Sequence, residues 1–466
     1  MSKIILFNSP SRSNVYLSTN VKVAAPSYPS LTLATLAGAL SSKHGVRIVD
    51  LEFSADPVKT LLDEIKSYGP DFIGASASTP DYLTVRDIMR KVKDVAPSII
   101  TIVGGVHVTT LSDDAANEAC FDIVVVGEGD KTLPEILSAA SPYGIPGTLY
   151  KDASSGRIVR APKRQLIRDI NELPCPDWGL FELKRYRNSR ISSRKNPVGL
   201  METSRGCAFQ CNFCNKLTFG SAYRPKNPKR VVDEMEHMLK CGFREIHIID
   251  DSFTQDMGRA KDVCREILRR GLKFPWVALS GLRVDLVDLE FFRLAKRAGC
   301  WMSGFGIESG DQEVLDRMSK GITLSQVERA VALAKKAGIE TFGFFILGLL
   351  GETEVSMRRT IDFAKRLPLD IAKFDICIPY PGTPYYNILK AAGRIKSENW
   401  SKYVCHQTEE SLFNHHNLSW GTIESFYKKS FMEFYLRPSY ILRRFFRSLR
   451  KGDILNDIRH FLGSKW

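Results

Sequence analysis

Three of the ten cysteines in this 466-residue chain stand in one short run, Cys207-Ala208-Phe209-Gln210-Cys211-Asn212-Phe213-Cys214. Thiolates at this C-x-x-x-C-x-x-C spacing can hold three irons of a cubane iron–sulfur cluster and leave the fourth iron without a protein ligand, open to a substrate. Zinc is the competing metal. A structural zinc site takes four closed ligands, however, and neither a histidine nor a fourth cysteine follows at finger spacing. Three cysteines meeting by chance would be buried in strands or helices, whereas Arg205-Gly206 and Asn212 mark a loop. The other seven cysteines are scattered and too sparse for a disulfide scaffold.

The cysteine loop follows a strand-like run, 197 to 203. Further strand runs occur at 244–249, 276–280, 301–306, 341–347 and 371–376, with helical stretches between them. Six such units predict a partial barrel whose chemistry lies at the strand C-termini. Upstream, strands are expected at 3–7, 46–50, 71–76, 99–103 and 122–126, with helices near 31–42, 57–67, 82–95 and 131–139. This second βα repeat implies a parallel sheet, in which ligands sit beyond the carboxyl ends of the strands. Small residues gather at those ends: Asn8-Ser9-Pro10, Ser76-Ala77-Ser78-Thr79, Gly104-Gly105 and Gly127-Glu128-Gly129. A flat, bulky ligand can approach the backbone there, although any one glycine after a strand can simply make the turn.

The fold class is therefore α/β: a doubly wound parallel sheet over 1–140, a connector over 141–194, a partial (β/α)6 barrel over 195–385 and a helical, basic region over 386–466. Composition excludes other classes. With 44% apolar residues the chain is too apolar for disorder, and its length calls for two or three domains. No apolar run approaches the roughly 18 residues of a spanning helix. The opening Met-Ser-Lys-Ile-Ile-Leu-Phe reads as a first strand and not a signal peptide, so a cytoplasmic address is expected. Residues 1–190 carry 22 basic and 21 acidic side chains, leaving +13 of the +14 net charge in 191–466. Nucleic acid, an anionic substrate, a membrane surface or a solvated basic face would each fit that charge.

At the cysteine loop the sequence resembles the radical S-adenosylmethionine superfamily, which has this spacing and an aromatic before the last cysteine, here Phe213. The resemblance covers about residues 195–385. Ile249-Asp250-Asp251-Ser252-Phe253 matches the family segment that contacts the methionyl amino group. Gly304-Phe305-Gly306-Ile307-Glu308-Ser309-Gly310 matches its ribose and carboxylate contact region, and Ser280 with Arg283 matches another polar strand end. Gly343-Phe344-Phe345-Ile346-Leu347-Gly348 matches the glycine-rich fifth strand near adenine. Leu349-Leu350-Gly351-Glu352 replaces the usual Leu-Pro-Gly-Glu.

The resemblance implies a [4Fe-4S] cluster on Cys207, Cys211 and Cys214, with S-adenosylmethionine near Phe213, Asp250, Asp251, Ser280, Arg283, Glu308, Gly343 and Gly348. A sulfonium is positive, so carboxylates at 250, 251 and 308 suit it, while helix capping would equally place the two aspartates. Packing of helix on strand explains the glycines as well as an adenine does. The implied chemistry is reductive cleavage to a 5′-deoxyadenosyl radical, with an electron donor such as a flavodoxin or ferredoxin.

The first 140 residues resemble the cobalamin-binding domain of the B12-dependent radical enzymes, on Tyr28-Pro29-Ser30-Leu31, Asp71 to Ser76, Val103-Gly104-Gly105-Val106-His107 and Val126-Gly127-Glu128-Gly129-Asp130. The implied cobalamin contacts are Asn8, Ser9, Ser30, Ser76, Ser78, Gly104, Gly105, His107, Gly127, Glu128 and Gly129. The Asp-x-His-x-x-Gly loop that supplies an axial histidine in many cobalamin enzymes is missing. His107 is therefore expected at the corrin edge or in local structure, not on cobalt. The implied activity is methyl transfer to an unactivated carbon by way of methylcobalamin and the 5′-deoxyadenosyl radical. An oxidative cyclase or rearrangement enzyme, like the anaerobic protoporphyrin ester cyclase, shares both domains. A corrinoid-binding iron–sulfur sensor or electron carrier is the reading from another class. Methylthiotransferases carry three more cluster cysteines in their first domain, and this one has only Cys120.

Trp301, Tyr380, Tyr385 and Tyr386 are candidate pocket residues, with core packing as the plainer explanation. Cys300 or Cys377 could donate a hydrogen atom. From Gly421 to Trp466 there are ten basic and four acidic residues interleaved with aromatics. A terminal helix packed on the barrel with its arginines in water is expected there. The alternative is a basic amphipathic helix on an anionic membrane, which would suit a lipid-like substrate. No RNA or DNA module is visible, so the expected partner is a small molecule or lipid and not nucleic acid.

Overall fold

The computed structural model describes residues 1–11, 26–406 and 411–451. In the first sheet β1 (Lys3–Asn8), β2 (Gly45–Asp50), β3 (Phe72–Ser76), β4 (Ile100–Gly104) and β5 (Ile123–Val125) run parallel in the order β2-β1-β3-β4-β5. Ile4, Ile5, Leu6 and Phe7 are all buried, as a strand covered by helices on both faces requires. The order reverses between β1 and β3, so Asn8 and Ser76 flank the crevice that such a reversal opens.

The connector expected at 141–194 begins as part of this sheet. β6 (Thr148–Lys151) and β7 (Ile158–Arg160) add antiparallel strands beyond β5. Their turn is set by Asp152, whose carboxylate accepts from the Ser155 amide at 2.7 Å. The hairpin satisfies backbone groups that β5 would otherwise leave open at the edge. Beyond it, Trp178 packs edge-on against Phe243, ring centroids 5.0 Å apart, and joins the connector to the second sheet.

That second sheet holds β8 (Val198–Met201), β11 (Glu245–Ile248), β12 (Trp276–Ala278), β13 (Cys300–Glu308), β14 (Glu340–Leu347) and β15 (Ile371–Ile376). They are parallel and neighbours in that order, a six-stranded partial barrel. The short pair β9 (Ser204–Arg205) and β10 (Arg224–Pro225) flanks the cysteine loop. Alternation along β14 separates two faces: Thr341, Gly343, Phe345 and Leu347 are buried, whereas Phe342, Phe344 and Ile346 are half-buried.

Helix Trp420–Tyr435 packs on β15, Tyr435 donating its hydroxyl to Ala372 O at 2.7 Å. The last helix, Pro438–Lys451, reverses the expected orientation. Arg443 donates to Leu369 O at 2.9 Å, and Arg447 to Asp370 Oδ1 at 2.9 Å and to Glu340. Leu442, Phe445, Phe446 and Leu449 point outward instead, 49–59% exposed. The barrel's acidic groups at 340 and 370 explain the choice, because they fix which face turns inward. Residues 452–466 of the tail lie outside the described residues. No helix among the described residues is long and apolar enough to cross a membrane.

Candidate functional site

The cysteine loop is tied to the protein before any metal is considered. Gly206 adopts φ +80° because its backbone turns against Ala222, whose carbonyl would lie 2.2 Å from any Cβ there. Its amide donates to Asp251 at 3.1 Å. The Asn212 amide donates to Met318 O at 3.1 Å, and Asn212 O accepts from the Tyr385 amide at 2.9 Å. Asn215 donates to Thr110 Oγ1 in the first sheet's half at 2.8 Å and to Pro381 O at 2.9 Å.

Three sulfurs thus share one loop within electrostatic reach of each other. Burial, and then the neighbouring Cys211, push the Cys214 thiol up to about 11; burial likewise raises Cys211. A metal binds the thiolate form, so its binding here would displace the protons that burial favours on Cys211 and Cys214. The donor set fits an iron–sulfur cluster.

Cys207 and Cys214 face a cavity of about 910 Å³ that lies between the carboxyl ends of the two sheets. From the first sheet the wall takes Asn8, Ser30, Ser76, Ser78, Gly104, Gly105, Gly127, Glu128 and Gly129, and from the second it takes Leu200, Glu202, Arg205, Ile249 and Asp251. Small residues at four strand ends and this volume fit a broad corrin. Ser30 also caps the helix Leu31–Leu40, accepting from the Leu33 amide at 3.3 Å. Ser78 hydrogen-bonds Asp81.

Two expected contacts lie elsewhere. Ser9 is buried against Ser11, 3.2 Å between hydroxyls. His107 is 2% exposed, its ring 4.2 Å from Tyr82 and 5.3 Å from Trp400, and burial pushes it down to about 4. The helix Val106–Thr110 turns that side chain into the core, so the wall at this strand end is Gly104, Gly105 and Val106. Glu128 reaches the wall, but its carboxylate is engaged by Arg205 at 3.0 Å, Arg224 at 2.8 Å and the Ile167 amide at 2.8 Å. Arg205 also grips both oxygens of Asp130, at 2.9 and 3.0 Å, and Glu202 at 2.7 Å. This buried network joins the first sheet to the residue two before Cys207. Sequence reasoning missed it, since charges 75 positions apart carry no local signal.

On the other side of the loop Cys211 lies within reach of Lys320, Glu308 and Arg283. Lys320 Nζ is 2.7 Å from Glu308 and 5.7 Å from the centre of the Phe213 ring. Glu308 is held at φ +66°, a conformation that costs a non-glycine residue about 1 kcal/mol or more. Arg283 stacks 3.5 Å over Phe209 and donates to Asp285, Lys320 O and Gly321 O. A carboxylate, an ammonium and two aromatic faces beside one thiol can receive a zwitterion carrying a sulfonium. Lys320 and Phe209 were not expected from sequence.

Asp250 serves a different purpose. It is 2% exposed, and its oxygens accept from the Thr203 amide and hydroxyl at 2.5 Å each and from the Ser204 hydroxyl at 2.6 Å. It pins the loop's entry to β11; Asp251 is the carboxylate left facing the cavity. Ser280 donates to Asp250 O at 3.1 Å. Gly343 and Gly348 turn their hydrogen faces to the protein, toward Leu369 and Ile307 in one case and Ile423 in the other, so helix packing accounts for both. Among the candidate pocket aromatics, Tyr385 and Tyr386 are buried, and Trp301 donates its indole N–H to Glu245 at 3.0 Å. Cys300 and Cys377 are buried thiols pushed up by desolvation, Cys300 to about 11.

Comparison with known proteins agrees with this architecture. Residues 201–364 match the Radical SAM superfamily and residues 17–137 the B12 binding domain. A protein of Pyrococcus horikoshii named as an uncharacterized methyltransferase is 33% identical over 451 residues, 95% of each chain. The anaerobic magnesium-protoporphyrin IX monomethyl ester cyclase of Rubrivivax gelatinosus is 28% identical over 86% of this chain and 72% of its own. In fold, the radical S-adenosylmethionine methyltransferase TsrM from Kitasatospora setae, solved with cobalamin and a [4Fe-4S] cluster, superposes with TM-score 0.68 at 23% identity over 85% of this chain and 76% of that one. The cobalamin-dependent radical enzyme OxsB gives 0.74 at 17% identity over 99% and 72%. With its two matched domains, its cysteine loop and a full-length relative, the chain belongs to the cobalamin-binding radical S-adenosylmethionine enzymes, whose cofactors are a [4Fe-4S] cluster, S-adenosylmethionine and cobalamin.

Proposed function

We propose that this enzyme transfers a methyl group from S-adenosylmethionine to an unactivated carbon of a small molecule. The carrying observation is the single cavity of about 910 Å³ walled by both Cys207 and Cys214 and the glycine- and serine-rich strand ends. When bound, the cluster with S-adenosylmethionine supplies a carbon-centred radical, and cobalamin supplies a methyl carrier. The chain's own part is placement. Cys207, Cys211 and Cys214 hold the cluster. Lys320, Glu308, Arg283 and Phe213 hold the amino-acid end of the sulfonium, Lys320 taking its carboxylate. Asn8, Ser76, Gly104 and Gly127 give the corrin a shallow, uncrowded seat. The methyltransferase name of the full-length relative supports the same reading.

Anaerobically reconstituted protein given dithionite, methyl-labelled S-adenosylmethionine and a small-molecule extract is expected to yield S-adenosylhomocysteine, 5′-deoxyadenosine and a product heavier by one methylene. Absence of all three overturns the reading. The cyclase relatives favour a second outcome, a product changed in hydrogen or oxygen count without the label.

The outward apolar face of the helix Pro438–Lys451, together with exposed Met432 and Leu436 and the basic excess of the region, supports peripheral contact with an anionic membrane. Flotation with phosphatidylglycerol vesicles is expected to carry the full chain, and Leu442→Ser with Phe446→Ser to release it. Equal flotation with and without residues 438–466 ends this part of the proposal.

A further inference from the structure

Lys216 stands two residues after Cys214, in the cavity wall that it shares with Cys207, Cys214 and Asp251. Its stretch of chain is fixed. Asn215 is tied to Thr110 and Pro381, its Oδ1 accepts from the Leu217 amide at 2.9 Å, and Lys216 O accepts from the Gly220 amide at 2.8 Å. The side chain ends in a buried ammonium. Nζ is shut off from water and has no hydrogen-bond acceptor among the described residues. Thr218 Oγ1, in the same turn and the same wall, is a second buried donor without an acceptor there.

The other cations around the cysteine loop are neutralised within the protein. Lys320 lies 2.7 Å from Glu308, Arg283 3.0 Å from Asp285 and Arg205 2.9 Å from Asp130. Lys216 forms no such pair among the described residues. A buried charge is costly unless an opposite charge meets it. Two groups lie within reach of the Lys216 field, the Asp251 carboxylate and the Cys214 sulfur. The carboxylate accepts from the Gly206 amide at 3.1 Å and offsets part of the charge from a distance. The sulfur becomes an anion when it ligates a metal, and the rest of the compensation comes with it.

We propose that Lys216 is the charge partner of the iron–sulfur cluster and raises its reduction potential. An added electron makes a cluster more negative, and a fixed positive charge beside it favours that state. The charge acts through space, so Nζ need not touch the cluster. One electron enters from the reductant; no bond is made or broken and no proton moves. The inference rests on the cluster held by Cys207, Cys211 and Cys214 and is independent of methyl transfer.

The test needs neither substrate nor S-adenosylmethionine. Anaerobically reconstituted full-length protein is titrated with dithionite in the presence of redox mediators, and the reduced cluster is counted by its electron paramagnetic resonance signal. At the potential that half-reduces the unaltered enzyme, Lys216→Gln is expected to lower the reduced-to-oxidised ratio about tenfold, equivalent to about 59 mV for one electron. Lys216→Arg, which keeps the charge, is expected to stay within about twofold. A fall of less than about threefold in Lys216→Gln, a rise, or an equal fall in Lys216→Arg overturns the proposal. If Lys216→Gln binds no iron while Lys216→Arg does, the positive charge is needed for the cluster to bind and the pairing stands. If neither binds iron, Lys216 is structural and the proposal falls.

Discussion

The two strand-end rims that face each other across the cavity are built on opposite plans. The rim of the first sheet is built largely of small residues, with Gly104, Gly127 and Ser76 in the wall, its one nearby histidine turned into the core, and Glu128 and Asp130 taken up by arginines of the barrel half. The rim of the barrel is charged and sulfur-bearing, with Arg205 held by Asp130 and Glu202, and Asp251 by the Gly206 amide. A ligand on the first rim is received by shape and on the second by bonds. Substitutions should therefore fail differently on the two sides, by added bulk on one and by lost partners on the other.

The largest effect is expected at the barrel rim. Alanine at Cys207, Cys211 or Cys214 should abolish the cluster's visible absorbance and all 5′-deoxyadenosine formation while leaving the far-ultraviolet circular dichroism unchanged. Ser76→Phe makes the opposite cut: cobalamin should no longer copurify, yet the cluster should assemble normally. If Ser76→Phe removed both, the division between the rims would fail. Arg205→Ala tests the join between them. It leaves Asp130 and Glu128 buried and short of a partner, at a cost of about 3–5 kcal/mol, which anaerobic denaturant unfolding can read. Arg205→Lys should recover only part, because the fork to both Asp130 oxygens is lost.

The smallest effect belongs to pH. His107 and His406 both fall to about 4 in the folded chain through burial, so the unfolded chain binds more protons between about 6.5 and 4. Stability present above pH 6.5 is lost as pH falls, by about 3 kcal/mol for each fully titrated group. A His107→Phe chain should lose less stability than the unaltered one over that range, and equal slopes would show that His107 is not buried as described.

Much of this was legible in the sequence. Strand and helix periodicity placed the parallel strands of both sheets to within about two residues, because each is a short apolar run bounded by turns, while the antiparallel pair Thr148–Lys151 and Ile158–Arg160 was assigned to the connector. The cysteine loop was legible because its spacing is local. What was not legible depends on long-range pairing. Asp250, Glu128 and His107 are polar residues near the right strand ends, and nothing local says whether a buried network or a ligand claims them. Lys320 joins its site only through folding. For the helix Pro438–Lys451 the pattern shows two faces but not which turns inward, a choice made by Glu340 and Asp370 on other strands.

The anchoring of the cysteine loop has a consequence for life with oxygen. Its entry and its middle are fastened by Asp251, Met318 and Tyr385, through hydrogen bonds that involve none of the three sulfurs. Removal of iron should therefore leave the loop's entry and middle in place, so that less binding energy goes into ordering the sulfurs again. A molecule damaged by air is in this respect a repairable one, refilled in place instead of discarded.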